Sequence, residues 1–232
     1  MRYVPNFLTI CNLLSGCLGI VFASDGNLNA GAYMIWLAAV MDFFDGLSAR
    51  ALNANSNIGG ELDSLADMVS FGVLPSFIVY ELLLVALPDS LSYLAFAAFL
   101  IAASSAIRLA IFNVDTRQTS SFIGLPTPAS ALLISALPLS RLPLVENLME
   151  NVVFLMILVA VVAYLLNAQI ELMAFKFKNY SWQDNKLKYS FMLISLILVI
   201  ALNFVAIPII VVLYIFVSLF QNSTKSKKAK SS

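Results

Sequence analysis

Long apolar runs broken by short polar stretches dominate the chain. Runs at 5–23, 30–51, 61–84, 91–113, 124–139 and 151–166 each have the length of a helix that crosses, or nearly crosses, the ~30 Å hydrocarbon core of a bilayer. Turn formers fill the breaks at 25–29, 53–60 (NANSNIGG), 88–90 and 115–121, and a longer polar connection covers 169–188. A last run, 189–220, is too long for one ordinary span of about 20 residues and short for two. Polar positions inside the runs are informative. Asn6, Thr9, Asn12 and Ser15 recur at spacing three and form one polar face, which serves either packing between helices or a ligand. Pro75 is expected to bend the third run. The fifth opens GLPTPAS, whose prolines permit irregular backbone at membrane depth only where protein covers it.

Composition agrees with this pattern: 61% of residues are hydrophobic and 11% charged, against about 25% charged in a soluble domain. The expectation is an all-α integral membrane protein with a single membrane-embedded domain over 1–220 and a disordered basic tail over 221–232, which can touch anionic lipid. Net charge is zero, yet the signs are segregated. If the last run turns back near 203–208, the chain has about eight spans with both termini on one side. That side then holds Arg2, Arg50, Arg108, Arg117, the lysines at 176, 178, 186 and 188, and the four tail lysines, with Arg141 alone opposite. The excess of positive charge predicts cytoplasmic termini. Run 5–23 is read as a retained span, because only Arg2 precedes it and no small-residue cleavage site follows. Cys11 and Cys17 suggest no disulfide framework, and the absence of histidine removes histidine-based triads.

Against this background the stretch 42–67, DFFDGLSARALNANSNIGGELDSLAD, stands out. Asp42, Asp45, Asp63 and Asp67 lie in or at the ends of apolar runs, where a charge costs on the order of 3 kcal/mol. Helical spacing stacks Asp42, Asp45, Gly46 and Ala49 on one face and Gly59, Asp63 and Asp67 on another, so a helical hairpin can aim all four carboxylates into one pocket. Taken singly, each pair also suits a hydrated helix end. Together they need cations, and an all-oxygen donor set favours Mg²⁺ or Mn²⁺; two such ions roughly neutralise the cluster. Gly46 and Ala49 leave space, Gly59 allows close approach, Arg50 can take phosphate oxygens and Ser56 can add a hydroxyl. These groups suit a diphosphate.

The pattern Asp42-x-x-Asp45-Gly46-x-x-Ala49-Arg50, eight residues, Gly59-x-x-x-Asp63-x-x-x-Asp67 resembles, without gaps, the signature of the CDP-alcohol phosphatidyltransferases. The resemblance implies that Asp42, Asp45 and Asp63 ligate two divalent cations with Asp67 also near them, and that Asp67 is the general base for the acceptor hydroxyl. It implies further that Gly46, Arg50 and Ser56, with Ala49 and Gly59 of the same signature, border the CDP moiety, and that Asn6 and Thr9 close over the nucleotide.

Beyond the signature, the segments at 5–16, 59–75, 108–113 (RLAIFN), 124–130 and 174–182 are similar to the membrane-embedded phosphatidylserine synthases. That subgroup implies CDP-diacylglycerol and L-serine as substrates, with Arg108 as the basic candidate for the acceptor's carboxylate; Ile111 stands where a second arginine is expected. Glycerol 3-phosphate or inositol phosphate is the alternative acceptor, and a cation transporter is a reading from another class. The remaining expectations are a homodimer in the lipid bilayer, no nucleic-acid partner, and a bacterial cytoplasmic membrane with the active site facing the cytoplasm.

Overall fold

A computed structural model of the chain describes residues 3–52, 57–115, 121–173 and 181–229. Helix α1 (Val4–Ser24) begins with Pro5 in its first turn, where the missing N–H costs nothing. Gly26, at φ 80°, reverses the chain, and the Asn27 side chain accepts the Ala30 N–H at 3.0 Å to cap α2 (Leu28–Ala51). Small residues let α1 and α2 lie close: a Cβ on Gly31 would stand 3.1 Å from the Gly19 carbonyl oxygen. Lipid is as apolar as leucine, so this packing, rather than exclusion from water, holds the pair together.

The third run is built in three parts, α3 (Asn57–Asp67), a π-helical segment at Met68–Val73, and α4 (Leu74–Ala86). The expected bend at Pro75 is thus realised as a π turn in the preceding residues. Pro75 lacks an N–H, and its ring crowds the carbonyl four residues back; a wider turn accommodates both, and Leu74 donates to Val69, five residues earlier. A 3₁₀ segment (Asp89–Phe99) then leads into α5 (Leu100–Val114).

Strand β1 (Ser121–Ile123) precedes α6 (Thr127–Leu139), which turns through 110° into the short α7 (Pro143–Met149). Then come α8 (Val152–Asn167), β2 (Glu171–Met173), α9 (Trp182–Leu202), a 3₁₀ turn (Asn203–Val205) and α10 (Ala206–Ala229). The two strands pair antiparallel with Phe122 opposite Leu172, a small departure from the purely helical expectation. Its cause lies in GLPTPAS. Gly124 (φ 77°) and Pro126 keep the chain out of helix before α6, so the backbone groups bond instead to α8 and the residues after it: Leu125 N–H to Leu165 O at 2.8 Å and Gly124 N–H to Ile170 O at 2.9 Å.

Contacts fix which helix ends lie together. At one end Thr9 meets Asp45, Asn113 meets Ser64, β1 meets β2, and Asn222 donates to the Glu171 carbonyl at 2.7 Å. At the other, Phe204 packs edge-on against Tyr33 and Trp36. The long last run folds back on itself at Asn203, whose φ of 50° and ψ of −133° are those of a tight turn, where glycine, asparagine and aspartate dominate. Phe191 and Tyr214, twenty-three positions apart, consequently bring their rings within 6.0 Å.

The core fills the space between α4, α5, α6 and α8, with Phe71, Ile78, Leu83, Ile101, Ile134 and Leu155 fully buried. Outward faces stay apolar, as Leu193, Leu196 and Ile200 on α9 illustrate. Among the described residues, five helical runs are long and apolar enough to cross a bilayer, or six with α6 and α7 taken as one broken span; 185–222 is one of the five, and α8 is shorter. The chain is a helical integral membrane protein. Helix α10 is described to Ala229, past residue 221.

Candidate metal centre

The C-terminal half of α2 and the start of the third run form a helical hairpin at the end of the molecule that also holds the start of α1. Carboxylate oxygens of Asp42, Asp63 and Asp67 all lie within 4.8 Å of one another. Oxygens around one octahedral Mg²⁺ are about 3 Å apart when adjacent and about 4.2 Å when opposite, so this spacing suits ligands of one ion or of a close pair. Among the described residues no lysine or arginine pairs with the three, and Asp63 Oδ1 is buried with no hydrogen-bond partner. An acidic, all-oxygen set with an orphaned buried acceptor fits a hard divalent cation.

Asp45 lies close enough for its charge to act on all three, and it has a partner on α1. It is 6% exposed, and its Oδ2 accepts the Thr9 hydroxyl at 2.8 Å. One turn along α1, Asn12 is fully buried and donates from Nδ2 to Asp67 Oδ1 at 3.1 Å. The polar stripe of the first run is therefore aimed at the aspartates: Thr9 serves Asp45, and Asn12 serves Asp67. Asn6, half-buried, lies one turn before Thr9 on that face, whereas Ser15 bonds back to the Cys11 carbonyl of its own helix. Periodicity puts Asn12 in the stripe but gives it no role, because it names a face and not a partner.

Close approach of α1 to the π turn secures this pairing. Ser70 donates to the Asn12 carbonyl at 2.9 Å, and a Cβ on Gly16 would stand 2.5 Å from Ser70 Oγ and 2.9 Å from Ser70 Cα. Glycine at 16 is what lets the serine reach the α1 backbone.

The other expected site residues fall around the cluster. Gly46 borders open space, since a Cβ there would meet nothing within 4 Å, and Ala49 is half-buried beside it. Arg50 is exposed and folds back so that Nε donates to the Gly46 carbonyl at 2.9 Å. Gly59, half-buried, begins α3, and Ser56 lies outside the described residues. Arg108, on α5, is 7% exposed, has the Phe112 ring 5.9 Å from its guanidinium carbon, and is within electrostatic reach of Asp67. Its Nε has no hydrogen-bond partner.

Fold and site together define a membrane-embedded helical protein with an acidic, cation-ready cluster at one end of its helices. The sequence profile of the CDP-alcohol phosphatidyltransferases matches residues 2–165, and the chain belongs to that family. Among curated proteins it is similar to a CDP-diacylglycerol--serine O-phosphatidyltransferase of Bacillus subtilis, 36% identical over 148 residues that make up 62% of this chain and 80% of that protein. A Helicobacter pylori protein of the same name is 35% identical over 137 residues, 56% of this chain and 54% of that protein. An archaetidylserine synthase of Methanothermobacter thermautotrophicus is 36% identical over 135 residues, 57% and 56% of the two chains. The match thus spans about half the length of the latter two relatives.

Proposed function

We propose that the protein transfers the phosphatidyl group of CDP-diacylglycerol to the hydroxyl of L-serine, giving phosphatidylserine and CMP. The observation that carries the reaction type is the trio Asp42, Asp63 and Asp67 with Asp67 held by Asn12. The serine acceptor rests on likeness to relatives named for that reaction.

Asp42, Asp45 and Asp63 would hold two divalent cations, Mg²⁺ or Mn²⁺, with Asp67 also near them. Bound there, such ions supply charge neutralisation for the diphosphate and for the leaving CMP. The chain's residues do the rest. Asn12 occupies Asp67 Oδ1 and leaves Oδ2 to accept the proton of the serine hydroxyl. The freed oxygen attacks the lipid-side phosphorus in line; the phosphorus–oxygen bond to CMP breaks and CMP takes that electron pair. The open space at Gly46, with Asn6, Thr9, Ala49, Arg50, Ser56 and Gly59 around it, would receive the CDP moiety.

The topology we favour has eight spans, counting α8 and both arms of the final hairpin, with both termini and the aspartate end cytoplasmic. The segregation of basic residues supports this orientation. Nucleotide and serine then arrive from water while the acyl chains stay in lipid. A bacterial cytoplasmic membrane and a pair of copies are the setting proposed for the enzyme; the mass of the detergent-solubilised protein tests the pairing.

Purified protein given CDP-diacylglycerol and Mn²⁺ or Mg²⁺ should release CMP when L-serine is added. Release with glycerol 3-phosphate and not serine would replace the acceptor. No release with any alcohol would remove the transferase reading in favour of cation transport.

A further inference from the structure

A cavity of about 470 Å³ lies at the end of the molecule opposite the aspartates, between two bends of the chain. One is the 110° break between α6 and α7, which carries Arg141; the other is the turn at Asn203. Ser140 and Leu142 are extended, with ψ of 133° and 130°, so Arg141 sits on a link between helices and not on a helix face. Tyr33 of α2, half exposed, forms a third wall, and its ring meets Phe204 edge-on at 6.0 Å. The charges around the cavity are uneven. Arg141 is exposed, and among the described residues it has no carboxylate partner and no carboxylate lines the cavity. Yet Asp25, Asp89, Glu146 and Glu150, in the turns and short helices at this end, make the surroundings acidic.

We propose that this cavity binds an anionic glycerophospholipid from the leaflet away from the aspartates, with the lipid phosphate on Arg141. The site does not depend on the transfer reaction. A guanidinium takes phosphate oxygens as a bidentate pair, and the Asn203 amide and Tyr33 hydroxyl on the same walls are further donors for phosphate or glycerol oxygens. Leu142, Leu202 and Val205 supply apolar surface for the first part of the acyl chains. The depth is right as well: an arginine near the ends of membrane helices reaches the headgroup layer, and tyrosine is favoured there. A zwitterionic headgroup fits less well, because its ammonium finds no carboxylate on the wall. The volume falls within the ~300–1,000 Å³ of ordinary ligand sites, more than a water or a bare phosphate fills.

Trp36 packs against Phe204 with ring centroids 5.7 Å apart, so its fluorescence reports on the cavity. The full chain carrying Trp182→Phe, which removes the other tryptophan, is reconstituted in phosphatidylcholine bilayers. Phosphatidylglycerol or phosphatidylcholine with acyl chains brominated near the headgroup is then added as quencher. With Arg141 present, the brominated phosphatidylglycerol should quench Trp36 at about tenfold lower mole fraction than the brominated phosphatidylcholine, the usual size of one hydrogen bond to a charged group. Arg141→Gln should abolish that preference, Arg141→Lys should keep most of it, and soluble glycerol 3-phosphate should not relieve the quenching. Equal quenching by the two lipids with Arg141 present, or a preference that survives Arg141→Gln, overturns the proposal. Relief by glycerol 3-phosphate would assign the cavity to a soluble anion, and protection of Trp36 from both lipids would assign this face to a second copy of the chain; either result overturns the lipid.

Discussion

Asn12 and Asp67, fifty-five positions apart, meet at 3.1 Å inside the helix bundle, and the amide has no exposed surface. The first helix thereby holds the orientation of a carboxylate carried by the third run, and the α1 backbone is itself tied to that run through Ser70.

Replacing Asn12 with leucine should free Asp67 to rotate. Loss of a hydrogen bond to a buried charged group corresponds to about 1.5–3 kcal/mol, or roughly a 10- to 100-fold fall in kcat. The KM for CDP-diacylglycerol should change little, and a steady-state comparison of kcat with that KM reads the difference.

Asp67→Asn is expected to abolish CMP release while CDP-diacylglycerol binding remains measurable, because the amide keeps the shape and lacks the proton acceptor. Wild-type turnover in that variant would remove Asp67 from the base role.

Chelation with EDTA should stop the reaction, and added Mn²⁺ should restore it. Asp63→Asn should weaken Mn²⁺ binding by at least tenfold, as read by paramagnetic resonance of the free ion, since Asp63 contributes a buried oxygen with no other partner. Tight Mn²⁺ binding in that variant would place the cation elsewhere.

Gly16→Ala should be costly for one methyl group. The new Cβ would collide with the Ser70 backbone as well as its hydroxyl, and neither a backbone atom nor a bonded serine gives way easily. The expected loss is about 1–3 kcal/mol of stability, seen as a lower Tm in detergent, with activity falling alongside it. The corresponding change at Gly46, inside α2 and bordering open space, should keep Tm or raise it slightly, since alanine favours helix over glycine by about 0.5–1 kcal/mol.

Much of the site was legible from the sequence because helical periodicity converts spacing into direction. Asp63 and Asp67, four apart, do share a face, and Asp42 joins them across the hairpin. For Asp45 the spacing from Asp42 gives the face but not the Thr9 hydroxyl that it accepts, a partner that appears only once α1 is placed beside it. Asn12 meets the same obstacle, since a polar residue on a helix names no partner until a second helix is placed beside it. Pro75 announced a lost N–H, but whether a helix kinks or widens in response depends on its neighbours, here the π turn at Met68–Val73. The pairing of β1 with β2 left no signal, because strands of three residues carry no periodicity. The reversal at Asn203 was readable from length and charge together, neither of which decides it alone.

The π turn separates two tasks within a single run. Each residue of an α-helix advances about 100° around its axis, so a widened turn slips the second half out of phase with the first. Asp63 and Asp67 can therefore answer to the pocket while Leu74, Ile78 and Leu83 answer to the core, without one azimuth having to satisfy both. A change that drew Met68–Val73 into regular α-helix with no residue removed would swing the carboxylates by about a quarter turn relative to the anchored half, disarming the centre in a protein that still sits in its membrane.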